Sequence, residues 1–189
     1  MRQMFRLSLG LVAGALLFSS HVRSETLDLN LNDDAVRLSY AWPAKGDKLQ
    51  LDAGILHHQD RGELGHFGLH LVDLAAPGNQ LKAGLGGKLF YANAEGPGDD
   101  LFNLGLGGFL HYTFPNSNRF SLSGHGYFAP DILAFGDADT FVELEARISY
   151  NVLRDGDIYL GARYVNIELR PGGDVTLDNG LHAGIQLRF

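Results

Sequence analysis

The nine residues Leu181-His182-Ala183-Gly184-Ile185-Gln186-Leu187-Arg188-Phe189 alternate apolar and polar without interruption. Leu181, Ala183, Ile185, Leu187 and Phe189 fall on one side of a period-two strand, and His182, Gln186 and Arg188 on the other. One face suits lipid or a protein core and the other suits water. A half-buried strand of a soluble sheet and the closing strand of a membrane barrel meet this pattern equally well, so the rest of the chain has to separate them.

The N-terminus favours export. Arg2 and Arg6 precede an apolar run from Leu7 to Phe18, and Val22-Arg23-Ser24 sets a small residue at the expected cut. This predicts a secretory signal peptide over residues 1–24, cleaved after Ser24, with residues 25–189 forming one domain. An apolar run of about a dozen residues falls well short of the roughly 20 that a helical span needs. The chain has no cysteine, which excludes both a lipid-anchored lipoprotein and a disulfide-stapled secreted domain. Its formal net charge of −7 becomes −10 once Arg2, Arg6 and Arg23 leave with the signal. That balance argues against nucleic acid and other polyanions as partners.

The 25 glycines sit inside apolar runs as often as between them, which a helical protein tolerates poorly. Alternation marks ten strand-like segments, near 25–32, 35–42, 48–58, 64–74, 80–92, 100–114, 118–129, 138–152, 156–169 and 177–189. Trp42-Pro43-Ala44-Lys45-Gly46-Asp47, Ala75-Ala76-Pro77-Gly78-Asn79, Pro115-Asn116-Ser117-Asn118 and Arg154-Asp155-Gly156 supply turn dihedrals. A second set, around 32–34, 58–63, 93–100, 130–139 and 170–176, reads as longer on average and more acidic. Alternating short turns with longer loops is the order expected of an outer-membrane barrel with both termini and the short turns facing the periplasm. Ten strands are expected. Eight is the alternative, because the first segment is short for the roughly 9–11 residues of a tilted spanning strand.

Facing follows from parity. In 138–152, Val142, Leu144, Ala146, Ile148, Tyr150 and Val152 oppose Glu143, Glu145, Arg147, Ser149 and Asn151. A soluble sandwich would turn the polar face outward, and a membrane barrel inverts this. Three features favour the barrel. Glycines gather on the polar face, where a narrow interior needs them. Trp42, Tyr91, Tyr112, Phe114, Tyr150 and Phe189 fall near segment ends, as an interfacial girdle would. No strand carries edge protection. The fold expected is therefore all-β, an antiparallel up-and-down transmembrane β-barrel, with a secreted soluble β-sandwich as the contrary reading. A break of alternation at Tyr164-Val165 predicts a bulge or the emergence of the ninth strand from the membrane.

The run Gly126-Tyr127-Phe128-Ala129-Pro130-Asp131-Ile132-Leu133, then Glu143 and Glu145, then Gly161-Ala162-Arg163-Tyr164-Val165-Asn166-Ile167 and the terminal Phe189, resembles the YfaZ-like outer-membrane proteins of Gram-negative bacteria. The likeness is strongest from about residue 84 onward. The resemblance implies a signal-bearing barrel in the cell outer membrane, in contact with lipid and lipopolysaccharide, whose last strand and Phe189 serve as the signal to the barrel-insertion machinery. It implies no particular activity.

Asp28, Arg37, Asp52, Lys82, Lys88, Glu143, Glu145, Arg147, Arg163 and Arg188 share the inward parity, and both signs are present, so mutual pairing is expected. They either fill and rigidify a small lumen or line a narrow channel; eight strands leave room only for side chains and ten little more. An enzyme is not expected. The alternative, a lipid hydrolase or acyltransferase, would use Ser123 and His125, two apart on one face, with Glu143 or Glu145 on the next strand, but no nucleophile-elbow or oxyanion-loop motif accompanies them. Neither cofactor nor metal is expected. His66 and His70 share a face yet stand about 13 Å apart along a strand, too far to share one ion, and His57 and His58 point to opposite faces. His111, His125 and His182 read as polar lumen or interface residues. Asp99, Asp100, Asp137 and Asp139 read as solvated loop, with Ca²⁺ or lipopolysaccharide bridging the alternative. Asp131, after Pro130, is expected to bond nearby backbone in a turn.

Overall fold

In lipid every backbone N–H and C=O must find a partner within the protein, so strands can cross only as a closed sheet. The computed structural model describes residues 25–44, 48–74, 80–94, 101–170 and 172–189. The signal segment, Asp99 and Asp100 lie outside the described residues. The strands are β1 (Thr26–Leu31), β2 (Ala35–Pro43), β3 (Leu49–His58), β4 (Gly62–Leu74), β5 (Leu81–Ala94), β6 (Leu101–Thr113), β7 (Phe120–Ala129), β8 (Ala134–Phe135), β9 (Ala138–Leu153), β10 (Gly156–Leu169) and β11 (Asp174–Arg188). The two-residue β8 only borders β6, through Phe102↔Phe135 and Asn103↔Ala134. The other ten pair antiparallel in chain order, and β1 pairs with β11 to close the ring. The fold is an up-and-down ten-stranded barrel, which removes the eight-strand alternative and the soluble sandwich.

The outer wall is apolar. Leu181, Leu85, Leu71 and Leu160 are 66–81% exposed, an area of apolar surface that water would not leave uncovered and that lipid matches. Aromatic rings mark both rims. Trp42 packs with Tyr40 and Phe67, Tyr112 with Phe114, and Phe120 with Tyr150 at the end carrying the chain termini. Tyr91 packs with Phe102 at the opposite end. Amphipathic rings of this kind settle at headgroup level.

Connections at the terminus end run from two to six residues and those at the other end from three to eight, so the expected difference in average length is slight. Their charge does differ: among the described residues Asp33, Asp34, Asp60, Asp131 and Asp137 lie in the connections away from the termini. In one of these Asp131 opens a 3₁₀ turn, and its carbonyl, rather than its side chain, accepts the Ala134 N–H.

The inner face is polar only over part of the barrel height. Near the loop end it turns apolar: Phe90, Leu101, Ala129, Phe141, Val165, Ile167 and Leu177 are all at most 1% exposed and form one cluster with Leu56, Leu64 and Tyr127. Val165 and Ile167 keep the inward parity of Arg163, so the break in polarity at Tyr164-Val165 marks the start of this plug and not the emergence of the strand. The bulge is there too. Val165 pairs with Asp178 but Asn166 with Thr176, leaving Leu177 as the extra residue on β11.

Candidate functional site

Three successive inward positions of β9, Glu143, Glu145 and Arg147, place two carboxylates and a guanidinium at mid-barrel. Across the lumen, β2 contributes Arg37, whose Nη1 stands 2.8 Å from Glu143 Oε1 and 3.3 Å from Glu145 Oε2. From β10, Arg163 donates to Asp178 Oδ2 at 2.6 Å and to Asn30 Oδ1 at 2.9 Å, and approaches Glu145 at 3.7 Å. Arg147 donates to Asp28 Oδ2 at 2.7 Å and lies over the Tyr159 ring, while the Tyr159 hydroxyl donates to Asp28 Oδ1 at 2.6 Å. Each buried charge therefore meets an opposite charge, which offsets the several kcal/mol of desolvation an isolated ion would cost.

A second cluster is built on Asp52 of β3. Its carboxylate lies 3.2 Å from His66 Nε2, 3.1 Å from His70 Nδ1 and 3.5 Å from Lys88 Nζ. Gly68, directly opposite Asp52, makes this possible: a Cβ there would stand 2.6 Å from an Asp52 carboxylate oxygen. His66 and His70 thus flank one carboxylate. His70 Nε2 is hydrogen-bonded to the Tyr127 hydroxyl at 2.8 Å, and Lys88 sits 4.5 Å above the Tyr127 ring, tying the cluster to the base of the plug. Among the described residues no group of three His, Asp or Glu has the arrangement of a metal site.

Toward the terminus end the interior opens into a vestibule of about 320 Å³, reaching from Asp52 and Glu145 to Thr26, Gln50 and Arg188 at the strand ends. Lys82 donates to Gln50 Oε1 at 2.9 Å, and His111 Nδ1 and Ser123 Oγ form a hydrogen bond of 2.7 Å. Arg188 holds Asp157 through two hydrogen bonds, with Asn151 donating to the same carboxylate at 2.7 Å.

This geometry does not assemble Ser123, His125 and Glu143 into a triad. Ser123 bonds His111 instead, and His125 Nε2 lies 3.3 Å from Glu143 Oε1. Ser123 and His125 also belong to a strand paired on both sides, so among the described residues the backbone around them is committed to the ladder and offers no oxyanion hole of main-chain N–H groups. His57 is exposed beside Glu63, whereas His58 is buried and its Nδ1 accepts the Asp60 N–H. Asp137 is exposed, and Asp139 pairs with Arg170. His182 is buried, edge-on to the Tyr159 ring. Sequence reasoning did not single out Asp157, Asp178 or Tyr159, nor the His111–Ser123 pair. Only the inward parity of each strand signals them, because partner choice depends on the register around the closed ring.

A closed antiparallel sheet with an apolar outer belt, aromatic rims and an ion-paired interior defines a transmembrane β-barrel protein. The family described as YfaZ precursor matches residues 4–189, and the chain belongs to that family, as an exported outer-membrane protein. Among solved structures, one titled KdgM porin is similar at 12% identity and a TM-score of 0.47, covering 88% of this chain and 99% of that one. Another, from work titled "Unveiling the Mechanism Behind the in-meso Crystallization of Membrane Proteins", shows 11% identity and a TM-score of 0.44, covering 88% and 83%. Comparison with curated proteins returns no match.

Proposed function

We propose that this barrel is a non-conducting, non-enzymatic outer-membrane protein that presents a blind polar vestibule to the periplasm and acts by interaction or structural support. The observation that carries this reading is the plug. Phe90 and Phe141 pack with ring centroids 4.2 Å apart, and with Leu101, Ile167 and Leu177 they fill the loop half of the lumen with apolar side chains at 0–1% exposure. A hydrated ion would have to shed its shell against that surface. Below it, the paired charges around Arg37 and Glu143 brace opposite walls. The terminus end faces the periplasm in this reading, with the acidic connections outside and Phe189 on the strand that guides insertion.

Planar bilayers test the proposal. The parent barrel is expected to stay electrically silent, whereas a Phe90→Ala/Phe141→Ala variant, which empties the centre of the plug, is expected to give openings. Steady ion-selective openings of the parent, lost on Arg163→Ala, would instead establish the narrow channel.

A further inference from the structure

One row of paired residues crosses the vestibule wall, from Lys82 near the start of β5 to Arg147 at mid-barrel. Lys82 is opposite His111, His111 opposite Ser123, and Ser123 opposite Arg147, on four consecutive strands of the ring. With strands about 4.8 Å apart, four hydrogen-bonding side chains stand along an arc of about 14 Å. All four line the same cavity of about 320 Å³. Three can donate: an ammonium, a guanidinium and the Ser–His pair, which keeps one donor outside its own hydrogen bond, the Ser123 hydroxyl when His111 Nδ1 carries the proton and the His111 Nε2–H when it does not.

The charges along this row are unevenly compensated. Arg147 is matched by Asp28, but half-buried Lys82 has a carboxamide, Gln50, and the face of Phe109 as its neighbours, and among the described residues no carboxylate pairs with it. A half-desolvated ammonium facing a cavity, next to a hydroxyl–imidazole pair and a second cation, is suited to an oxyanion. We propose that the Lys82–His111–Ser123–Arg147 row binds the phosphate or carboxylate head of a small solute. The proposal rests on the blind-vestibule reading, because the ligand enters and leaves by the terminus end. The cavity admits a molecule of metabolite size, and the acidic chain as a whole turns away the polyanions that a basic groove would collect.

The test is calorimetric titration of the full mature barrel, folded in nanodiscs, with inorganic phosphate, succinate, glucose 6-phosphate and uncharged glucose. Saturable binding of at least one anionic probe, with none of glucose, is the expected result. Lys82→Gln should weaken it about tenfold, the effect of losing one charge-assisted contact, while Lys48→Gln at the exposed turn should leave it unchanged. Heat-modifiable migration of Lys82→Gln establishes that this variant is folded. Nanodiscs with and without phosphatidylglycerol separate the sources: weaker glucose 6-phosphate binding in the anionic lipid identifies a headgroup as occupant, and equal binding a free solute. A folded parent that binds no anionic probe, or affinities that Lys82→Gln leaves unchanged, would overturn the site. Bilayer openings of the parent would remove the blind end while leaving the titration intact, so the two readings fail separately.

Discussion

At Arg37 a single guanidinium, 5% exposed, faces Glu143 and Glu145 from across the lumen. Removing it leaves the fully buried Glu143, among the described residues, with only His125 as an ion-pair partner, at 3.3 Å, while Glu145 keeps Arg163 and Arg147 within 4 Å. Arg37→Ala should therefore destabilise the barrel by about 3–5 kcal/mol, read as a lower urea midpoint for loss of the folded band. Arg37→Met combined with Glu143→Leu removes one charge of each sign, and should cost less than Arg37→Ala alone if desolvation sets the balance. The opposite kind of sensitivity is expected at Gly68. Here one added methyl group meets the Asp52 carboxylate at 2.6 Å and the His70 ring at 2.8 Å, so Gly68→Ala should cost about 1–3 kcal/mol through overpacking. The same substitution at Gly180, where a Cβ meets nothing within 4 Å, should be close to neutral in that assay.

At the scale of strands, alternation locates the elements well because lipid and lumen impose it directly. The segment read as 64–74 is Gly62–Leu74, that read as 138–152 is Ala138–Leu153, and that read as 177–189 starts three residues earlier, at Asp174, because the bulge at Leu177 interrupts the parity. The plug was not legible. Phe90, Phe141 and Ile167 share the inward parity of Lys88, Glu143 and Arg163, and alternation reports which face a residue occupies, not what surrounds it at a given depth. Partners across the lumen, such as Arg37 with Glu143, were illegible for a related reason: they join strands brought together only by closure. That closure rests on β1, six residues hydrogen-bonded to β2 on one side and β11 on the other. Proline removes a ladder donor and is confined to edge strands, first strand positions and bulges, so it does not fit the middle of a strand paired on both sides. Leu29→Pro should therefore abolish the heat-modifiable shift, whereas Ile132→Pro, in the exposed turn after β7, should retain it.

For the whole molecule, the end that faces the cell exterior is directly measurable, because the chain has no native cysteine. Connection length is a poor guide, since the two ends differ little. Charge is better. Among the described residues the loop end gathers the exposed carboxylates of Asp33, Asp34, Asp60, Asp131 and Asp137, and the terminus end carries Lys48, Arg119 and Arg154 in its turns. In the proposed orientation, insertion from the periplasm with the last strand as guide puts both termini on that side. Single cysteines placed at Asp60, beyond β3, and at Arg154, in the two-residue turn between β9 and β10, sample the two ends. With intact cells a membrane-impermeant maleimide should label Asp60→Cys strongly and Arg154→Cys only after the outer membrane is permeabilised. The reverse pattern would turn the vestibule outward, so that Lys82 and its row would face the medium, and the plug would seal the barrel from the periplasm. The geometry of the interior would survive that inversion, but the compartment supplying its solute would change.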